Sequence, residues 1–325
     1  MGQLIEGVWH ADAPADVPGN TSIRHWITAD GKPGPTGRGG FRAEPGRYHL
    51  YVSYACPWAH RTLIYRALKK LDGMIGVSVV HWLMGADGWT FAPDEQGLVG
   101  DRLNGSEFLR EIYQSSEPHH TGRVTVPVLW DIATKLIVSN ESADIIRMLN
   151  SAFDGVGAGA GDYYPLALRD DIEALNARIF SDVNKGVYKA GFARTQADYE
   201  GAVTALFATL DELDSRLAKR RFLLGDAPTE ADWRLLPTLL RFDLVYHGHF
   251  KCNVRRLVDY QNLSGYARDL YQWPGIGATC NFDHVKRHYY QSHRHINPTG
   301  IVPLGPAIDY AAPHDRGRLL TRGTP

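Results

Sequence analysis

The sequence predicts an α/β domain followed by an all-helical domain. Short apolar runs alternate with helical spacing between residues 46 and 150. Beyond residue 163, apolar side chains recur at the three- and four-residue spacing of helices. A Gly-rich stretch separates the two regions. We therefore expect an extended arm over 1–45, an α/β domain over 46–150, a linker over 151–162, and a helical domain with a C-terminal tail over 163–325.

The first domain is expected to hold a β-α-β unit, a further helix, a hairpin and a last helix. The predicted bounds are a strand at 48–52, a helix closed by Gly73, a strand at 77–83, a helix at 106–115, strands at 124–130 and 135–139, and a helix that begins with the cap-type residues 139–142. A parallel crossover followed by a hairpin is the strand order of a thioredoxin-like sheet. That order predicts a fold and not a function.

The second domain is expected to contain helices at 168–180, 199–217 and 229–246. The third of these starts with Thr229, followed three residues later by Asp232, in the pattern of a capping box. Pro237 lies inside the same helix, where its missing N–H should produce a kink.

Charge and composition exclude several classes of partner. Lys and Arg number 35 against 36 Asp and Glu, so the chain offers no basic footprint for nucleic acid or an anionic membrane. It has no apolar run long enough to span a membrane and no secretory start. Three scattered cysteines suit a reducing compartment rather than a disulfide framework. We therefore expect a cytoplasmic protein that binds neither nucleic acid nor membrane.

Cys56 is the candidate nucleophile, in the segment YVSYACPWAHRT between the first strand and its helix. Pro57 suits the first helical position, which places the thiol at the N-cap. Unpaired amides and the positive end of the helix dipole favour a thiolate there. Position 59 is Ala, so no neighbouring cysteine can resolve a mixed disulfide, and a small-molecule thiol would have to do so. The alternative is a buried structural cysteine.

Val126-Pro127 lies near the start of the strand predicted at 124–130 and would lie in front of Cys56 if the fold is correct. A proline that heads a strand suggests a cis peptide bond, which would leave the Val126 backbone available to a peptide ligand. An ordinary trans proline at a strand start is the alternative.

No metal site is expected. The spacing of Cys280, His284 and His288, followed by His293 and His295, could place zinc ligands on one helical face. The chain has no paired CxxC motif, however, and packed or solvated histidines are the simpler interpretation.

Four motifs together make the sequence recognisable. They are Ala-Cys-Pro-Trp-Ala-His-Arg at 55–61, Gly-Trp at 88–89, Arg-Val-Thr-Val-Pro at 123–127 and Ser-Asn-Glu-Ser at 139–142. With the downstream tyrosines, this combination resembles the glutathionyl-hydroquinone reductases, the Xi class of glutathione transferases, from about Gly7 to Gly305. The resemblance implies the glutathione-transferase architecture, a homodimer, and glutathione as co-substrate.

The resemblance also implies the roles of individual residues. Cys56 would be the nucleophile, Tyr188 the proton donor and acceptor, and Tyr246 and Tyr289 the hydroxyls that steady the thiolate. The residues implied to hold glutathione are Trp89, Arg123, Val124, Thr125, Val126, Glu141 and Ser142. Among these, Ser142 near a helix start suits the γ-glutamyl carboxylate, and Glu141 suits its amine.

The expected reaction is removal of glutathione from glutathionyl-hydroquinones through a Cys56–glutathione disulfide, with release of hydroquinone and oxidised glutathione. Two alternatives remain open. One is an omega-like thiol transferase or dehydroascorbate reductase that uses the same thiol. The other is a non-catalytic glutathione-transferase-like binding module in which Cys56 is a packed residue.

Overall fold

The chain folds into two compact units, Met1–Gly161 and Asp162–Pro325, in a computed structural model that describes residues 2–13 and 22–320. Parts of the predicted arm and tail, 14–21 and 321–325, lie outside the described residues. The first unit is α/β and the second is helical, as the sequence predicts.

The first unit is built on a four-stranded sheet with the strand order β4-β3-β6-β7. Its elements are β1 (Gln3–Ile5), β2 (Val8–His10), β3 (Tyr48–Val52), α1 (Pro57–Leu68), β4 (Ile75–Val79), α2 (Leu109–Ser116), β5 (Gly122–Arg123), β6 (Val128–Asp131), β7 (Leu136–Ser139) and α3 (Ser142–Ser151). β3 pairs with β4 in parallel and with β6 antiparallel, and β6 and β7 form the hairpin. The thioredoxin-like order is therefore confirmed.

Several segments meet at one end of this sheet, which we call the thiol end because Cys56 follows β3 there. β3 and β7 both finish at the thiol end, since each runs antiparallel to β6. β6 starts there, with Val128 paired to Tyr51 near the end of β3, and β4 finishes there beside β3. The helices α1 and α3 therefore begin at the same end, and they pack against each other.

The N-terminal region has more structure than an extended arm. β1 and β2 form a short hairpin, and β1 also pairs with β5 in a second, three-stranded sheet. Further along, Arg24 forms a bridge with Ser139 on β7, and its guanidinium makes a two-bond ion pair with Asp144 in the first turn of α3. The arm is thus fastened to the strand and helix next to the thiol end.

The second unit is helical throughout its regular structure. Its α-helices are α4 (Arg169–Ile179), α5 (Gly186–Gly191), α6 (Gln196–Leu217), α7 (Glu230–Arg241), α8 (Leu263–Tyr271) and α9 (Phe282–Ser292). Thr229 and Asp232 form the predicted capping box, with the Thr229 N–H donating to the Asp232 carboxylate at 2.7 Å. The helix expected to run to residue 246 changes after Arg241 into a π-helical turn, Phe242–Tyr246. Pro237 lies inside α7, as predicted.

Several predicted bounds are wrong. The strand expected at 77–83 is Ile75–Val79, and the helix expected from residue 199 begins at Gln196. The strand expected at 124–130 begins only at Val128, because Pro127 has no N–H to donate to the ladder. The helix expected from residue 106 begins at Leu109. None of the helices in the described part of the chain combines the length and apolar character needed to span a membrane.

Candidate active site

Cys56 is the N-cap residue of α1. Its backbone is extended, with φ −77° and ψ 121°, and Pro57 occupies the first helical position. The Ala59 N–H donates to the Cys56 Sγ across 3.5 Å, and the first turn carries no acidic residue. The side chain is partly exposed. A thiolate at this position is stabilised by the N–H groups of the first helical turn and by the positive end of the helix dipole.

Val126 faces the same sulfur. Its carbonyl oxygen lies 3.5 Å from the Cys56 Sγ, and the peptide bond to Pro127 is cis, which confirms the prediction. A neutral thiol can donate to this carbonyl, whereas a thiolate accepts from the Ala59 N–H. The two contacts therefore favour opposite protonation states, and the carbonyl becomes available to a ligand N–H when the thiol ionises.

Trp89 reaches the thiol end through the chain that follows β4. The Val80 N–H donates to the Val52 carbonyl, and the next residue, His81, donates its N–H to the Thr90 carbonyl. This pairing brings the Gly-Trp segment alongside the end of β4. The Trp89 side chain is 7% exposed.

Glu141 and Ser142 begin α3 at the thiol end. Glu141 is the N-cap residue, and its carboxylate accepts from the Ala143 N–H at 3.1 Å. Ser142, the first helical residue, is buried. The segment is therefore a helix cap, as the cap-type residues at 139–142 predict. It also presents amides and a carboxylate where an amino-acid head group could bind.

The segment before Pro127 connects two sheets. Arg123 is exposed and lies in β5, where it pairs with Gln3, while Val124 is buried. Thr125 is held through both backbone groups by the hydroxyl of Tyr113, which accepts from its N–H at 3.3 Å and donates to its carbonyl at 2.9 Å. The expected glutathione contacts at 123–126 thus lie on an irregular segment that depends on side chains for its support.

The other two cysteines are unsuited to nucleophilic chemistry. Burial raises the pKa of Cys252 to about 12 and that of Cys280 to about 11. Both thiols therefore remain protonated near neutral pH, and of the three cysteines only Cys56 is the N-cap residue of an α-helix.

In the helical unit, Tyr188, Tyr246 and Tyr289 form one cluster. The Tyr289 hydroxyl is hydrogen-bonded to the hydroxyls of both Tyr188 and Tyr246, the latter at 3.0 Å. Burial, together with the two neighbouring phenols, raises the pKa of Tyr289 well above its usual value. Tyr188 is the partly exposed member of the three. The structure thus brings together three tyrosines that are far apart in the sequence, and leaves one of them accessible.

The histidines beside this cluster are packed rather than arranged around a cation. His249 and His293 are stacked, with their ring nitrogens 3.3 Å apart, and burial lowers the pKa of His293 to about 2. Over residues 2–13 and 22–320, the structure shows no group of three or more His, Cys, Asp or Glu side chains able to hold a metal ion.

Sequence reasoning missed Tyr113 and Asn140. Tyr113 lies on α2, and Asn140 sits within the Ser-Asn-Glu-Ser motif but was not assigned a role. The Asn140 Nδ2 donates to the Tyr113 hydroxyl at 3.2 Å. Locally, the sequence shows only an aromatic residue on a predicted helix and a polar residue in a cap. Neither indicates a contact between residues 27 positions apart.

Comparison with known proteins identifies the family. Residues 55–152 match the model of the glutathione S-transferase N-terminal domain, and residues 196–269 match that of the C-terminal domain. The glutathionyl-hydroquinone reductase YqjG of Escherichia coli K12 is 56% identical over 97% of this chain and 98% of its own length. PcpF of Sphingobium chlorophenolicum, also named a glutathionyl-hydroquinone reductase, is 52% identical over 94% of this chain and 97% of its own length. The chain belongs to the glutathionyl-hydroquinone reductases, the Xi class of glutathione S-transferases.

Solved structures agree with this assignment to the Xi class. The glutathione-bound structure of YqjG superposes with a TM-score of 0.93, covering 97% of this chain and 99% of that one. A Xi-class transferase from Natrialba magadii, 44% identical, gives 0.92 with 98% of both chains covered. The expected architecture, a thioredoxin-like domain followed by a helical domain, is therefore that of the glutathione transferases.

Proposed function

We propose that this Xi-class chain is a glutathione-dependent oxidoreductase that removes glutathione from glutathionyl-hydroquinones, with glutathione as its co-substrate. The observation that carries the proposal is the position of Cys56, a partly exposed thiol at the N-cap of α1 that faces the cis Val126–Pro127 peptide. Thioredoxin-like folds with a single thiol at this point can form one mixed disulfide but cannot resolve it internally.

In the first step, the Cys56 thiolate attacks the sulfur of the glutathionyl-hydroquinone. The new S–S bond forms as the bond between sulfur and the aromatic carbon breaks, and the electron pair of that bond remains on the carbon. Tyr188 supplies the proton that the carbon needs, and hydroquinone leaves. The aromatic substrate is reduced, and the thiol becomes a Cys56–glutathione disulfide.

In the second step, a glutathione thiolate attacks the glutathionyl sulfur of this disulfide. Oxidised glutathione leaves, and the Cys56 thiolate is regenerated. Tyr188 recovers its proton from solvent or from the incoming thiol. Each turnover therefore consumes one glutathione and one conjugate and produces one hydroquinone and one oxidised glutathione.

The proposed glutathione contacts follow from the chemistry available at the thiol end. The amides that begin α3, with Ser142, suit the γ-glutamyl carboxylate, and Glu141 suits the adjacent amine. The Val126 backbone suits the cysteinyl peptide, and Arg123 suits the glycyl carboxylate. Trp89, Val124 and Thr125 would complete the site.

The roles proposed for the tyrosines have support from their clustering. A phenol that stays neutral near pH 7 can donate a proton to a carbanion-like carbon. Tyr188 is the accessible hydroxyl of the three, and Tyr289 holds it. Tyr246 and Tyr289 would also steady the thiolate.

The test is turnover of glutathionyl-menadiol by the Cys56→Ser variant. Serine keeps the size of the side chain but lacks an ionised sulfur, so turnover should be lost. Cys280→Ser is the matched control, because its thiol is held protonated by burial, and it should retain the wild-type rate. Near-normal turnover by Cys56→Ser would remove the mechanism.

A comparison of substrates separates this activity from that of an omega-like thiol transferase. The ratio of kcat/KM for glutathionyl-menadiol to that for a small mixed disulfide, or for dehydroascorbate, should strongly favour the aromatic conjugate. The opposite preference would identify a thiol transferase or dehydroascorbate reductase that uses the same cysteine. Absence of turnover with all three substrates would favour a binding module.

A cytoplasmic homodimer is also part of the proposal. The mechanism requires a reduced compartment, and all three cysteines are present as thiols. The dimer rests on the family resemblance. Light scattering on a size-exclusion column should give twice the chain mass of 36.2 kDa, and a monomeric mass would contradict it.

A further inference from the structure

Tyr113 lies on α2 with its side chain fully buried. Its hydroxyl donates to the Thr125 carbonyl at 2.9 Å and accepts from the Thr125 N–H at 3.3 Å. It also accepts from the Asn140 Nδ2 at 3.2 Å. A phenol has one donor and two acceptor positions, so the longer contact of 3.4 Å to the Thr125 hydroxyl competes with these three bonds.

The two partners belong to the two segments proposed to hold glutathione. Thr125 is directly followed by Val126, whose carbonyl faces the Cys56 sulfur. Asn140 is directly followed by Glu141, the N-cap of α3. The segment around Thr125 lies between β5 and β6, outside any strand, so no sheet ladder fixes its position. A single hydroxyl therefore connects an irregular segment to the start of a helix.

Asn140 connects the same point to the N-terminal arm. Its side-chain oxygen accepts from the Ile23 N–H at 3.0 Å, and its own N–H donates to the Ile23 carbonyl at 3.1 Å. Both ends of the Asn140 amide are thus engaged, one with the arm and one with Tyr113. The arm, α2, the segment before Pro127 and the start of α3 form one hydrogen-bonded network.

We infer that Tyr113 is a positioning residue for glutathione, which acts by holding Thr125 and Asn140 so that the Val126 backbone and the start of α3 lie at a fixed separation. The inference rests on the proposed function. Tyr113→Phe keeps the buried ring but leaves two backbone groups and one amide without this partner, in a segment that lies between the pairing of β5 and the start of β6. Glutathione must reorder the segment when it binds, which weakens its affinity.

The experiment compares Tyr113→Phe with Tyr48→Phe. Tyr48 is also fully buried and its hydroxyl also donates to a main-chain carbonyl, that of Arg42 at 2.6 Å. It starts β3, whereas Cys56 follows the end of β3, so its hydroxyl lies at the far end of the sheet from the thiol. Both variants remove a buried tyrosine hydroxyl that donates to a main-chain carbonyl, but only Tyr113→Phe should affect glutathione binding.

The expected result for Tyr113→Phe is a rise of about 5- to 10-fold in the Kd of glutathione, measured by calorimetry on the Cys56→Ser background. In otherwise wild-type protein, the KM for glutathione should rise equally, with kcat at saturation within about 2-fold. Tyr48→Phe should lower the melting temperature about as much as Tyr113→Phe does, while leaving the Kd of glutathione unchanged. Asn140→Ala removes the bond to Tyr113 and the bond to the Ile23 N–H while the Thr125 bonds remain, and it should also raise Kd.

The outcomes are distinguishable. A Kd unchanged in the folded variants of Tyr113 and Asn140, or raised equally by Tyr48→Phe, overturns the positioning role while the proposed function stands. Should Tyr113→Phe not fold, Asn140→Ala decides by the same criterion. Failure of the Cys56→Ser parent to bind glutathione would contradict the proposed function itself.

Discussion

Replacing Tyr289 by Phe tests the role of the tyrosine cluster. The Tyr289 hydroxyl is fully buried and is hydrogen-bonded to both Tyr188 and Tyr246. Each neutral hydrogen bond is worth about 1 kcal/mol, so the variant should lose about 2 kcal/mol of stability. For a unit of this size, that corresponds to a fall in melting temperature of about 4–8 °C. If Tyr188 is the proton donor, loss of the hydroxyl that holds it should also lower kcat by about 10- to 100-fold.

The assay measures melting by calorimetry and turnover with glutathionyl-menadiol at saturating glutathione. Tyr310→Phe is the control, because Tyr310 is a buried tyrosine of the same unit whose hydroxyl donates to the Leu240 carbonyl at 3.2 Å. It should lose about half as much stability, with no change in kcat. A Tyr289→Phe variant with the kcat of the Tyr310→Phe control would refute the reasoning that connects this cluster to proton transfer.

Two further predictions concern ionisation. Cys56 should react with iodoacetamide at pH 6 about 5- to 10-fold faster than free cysteine, because the N-terminus of α1 favours its thiolate; a rate equal to that of free cysteine would contradict this. Burial holds the pKa of His293 at about 2, below its usual 6.5, so unfolding takes up a proton between these values. The stability contributed by neutral His293 is complete above pH 6.5 and is lost as the pH falls through that window. His293→Asn should therefore flatten the fall in unfolding free energy between pH 6.5 and 4 by up to about 1.4 kcal/mol per pH unit, and an unchanged slope would show that other groups cause it.

Local patterns were sufficient for the central sheet. The apolar run of β3, the helical spacing of α1 and the hairpin of β6 and β7 each follow from residues close in sequence. The hairpin of β1 and β2 was not predicted, because its three-residue strands are too short to show alternation. Its pairing with β5 joins Gln3 to Arg123, and no local signal specifies a partner at that distance.

Several short helices of the second unit were also not predicted. The long amphipathic helix α6 and the capping box of α7 were predicted, whereas α5, with six residues, and α8 and α9 were not. The change to a π-helical turn after Arg241 keeps the helical spacing of apolar residues, so periodicity cannot detect it.

In the candidate site, too, the residues with a local sequence signal were predicted and those that act through long-range contacts were not. Cys56 and the cis peptide before Pro127 were predictable because a thiol and a proline at strand ends have few physical explanations. The roles of the three tyrosines came from the family resemblance, since 16 tyrosines occur in the chain. Tyr113 and Asn140 were missed because their contribution is a long-range hydrogen bond, which sequence spacing does not encode.

The central claim is that the Cys56 sulfur takes glutathione from the aromatic conjugate before a second glutathione removes it. The most direct measurement is mass spectrometry of the wild-type protein mixed with one equivalent of glutathionyl-menadiol in the absence of free glutathione. Without the second thiol, the reaction should stop with one glutathionyl group on Cys56 and one equivalent of menadiol released. Menadiol release with no adduct on Cys56, or with the adduct on another residue, would contradict the account.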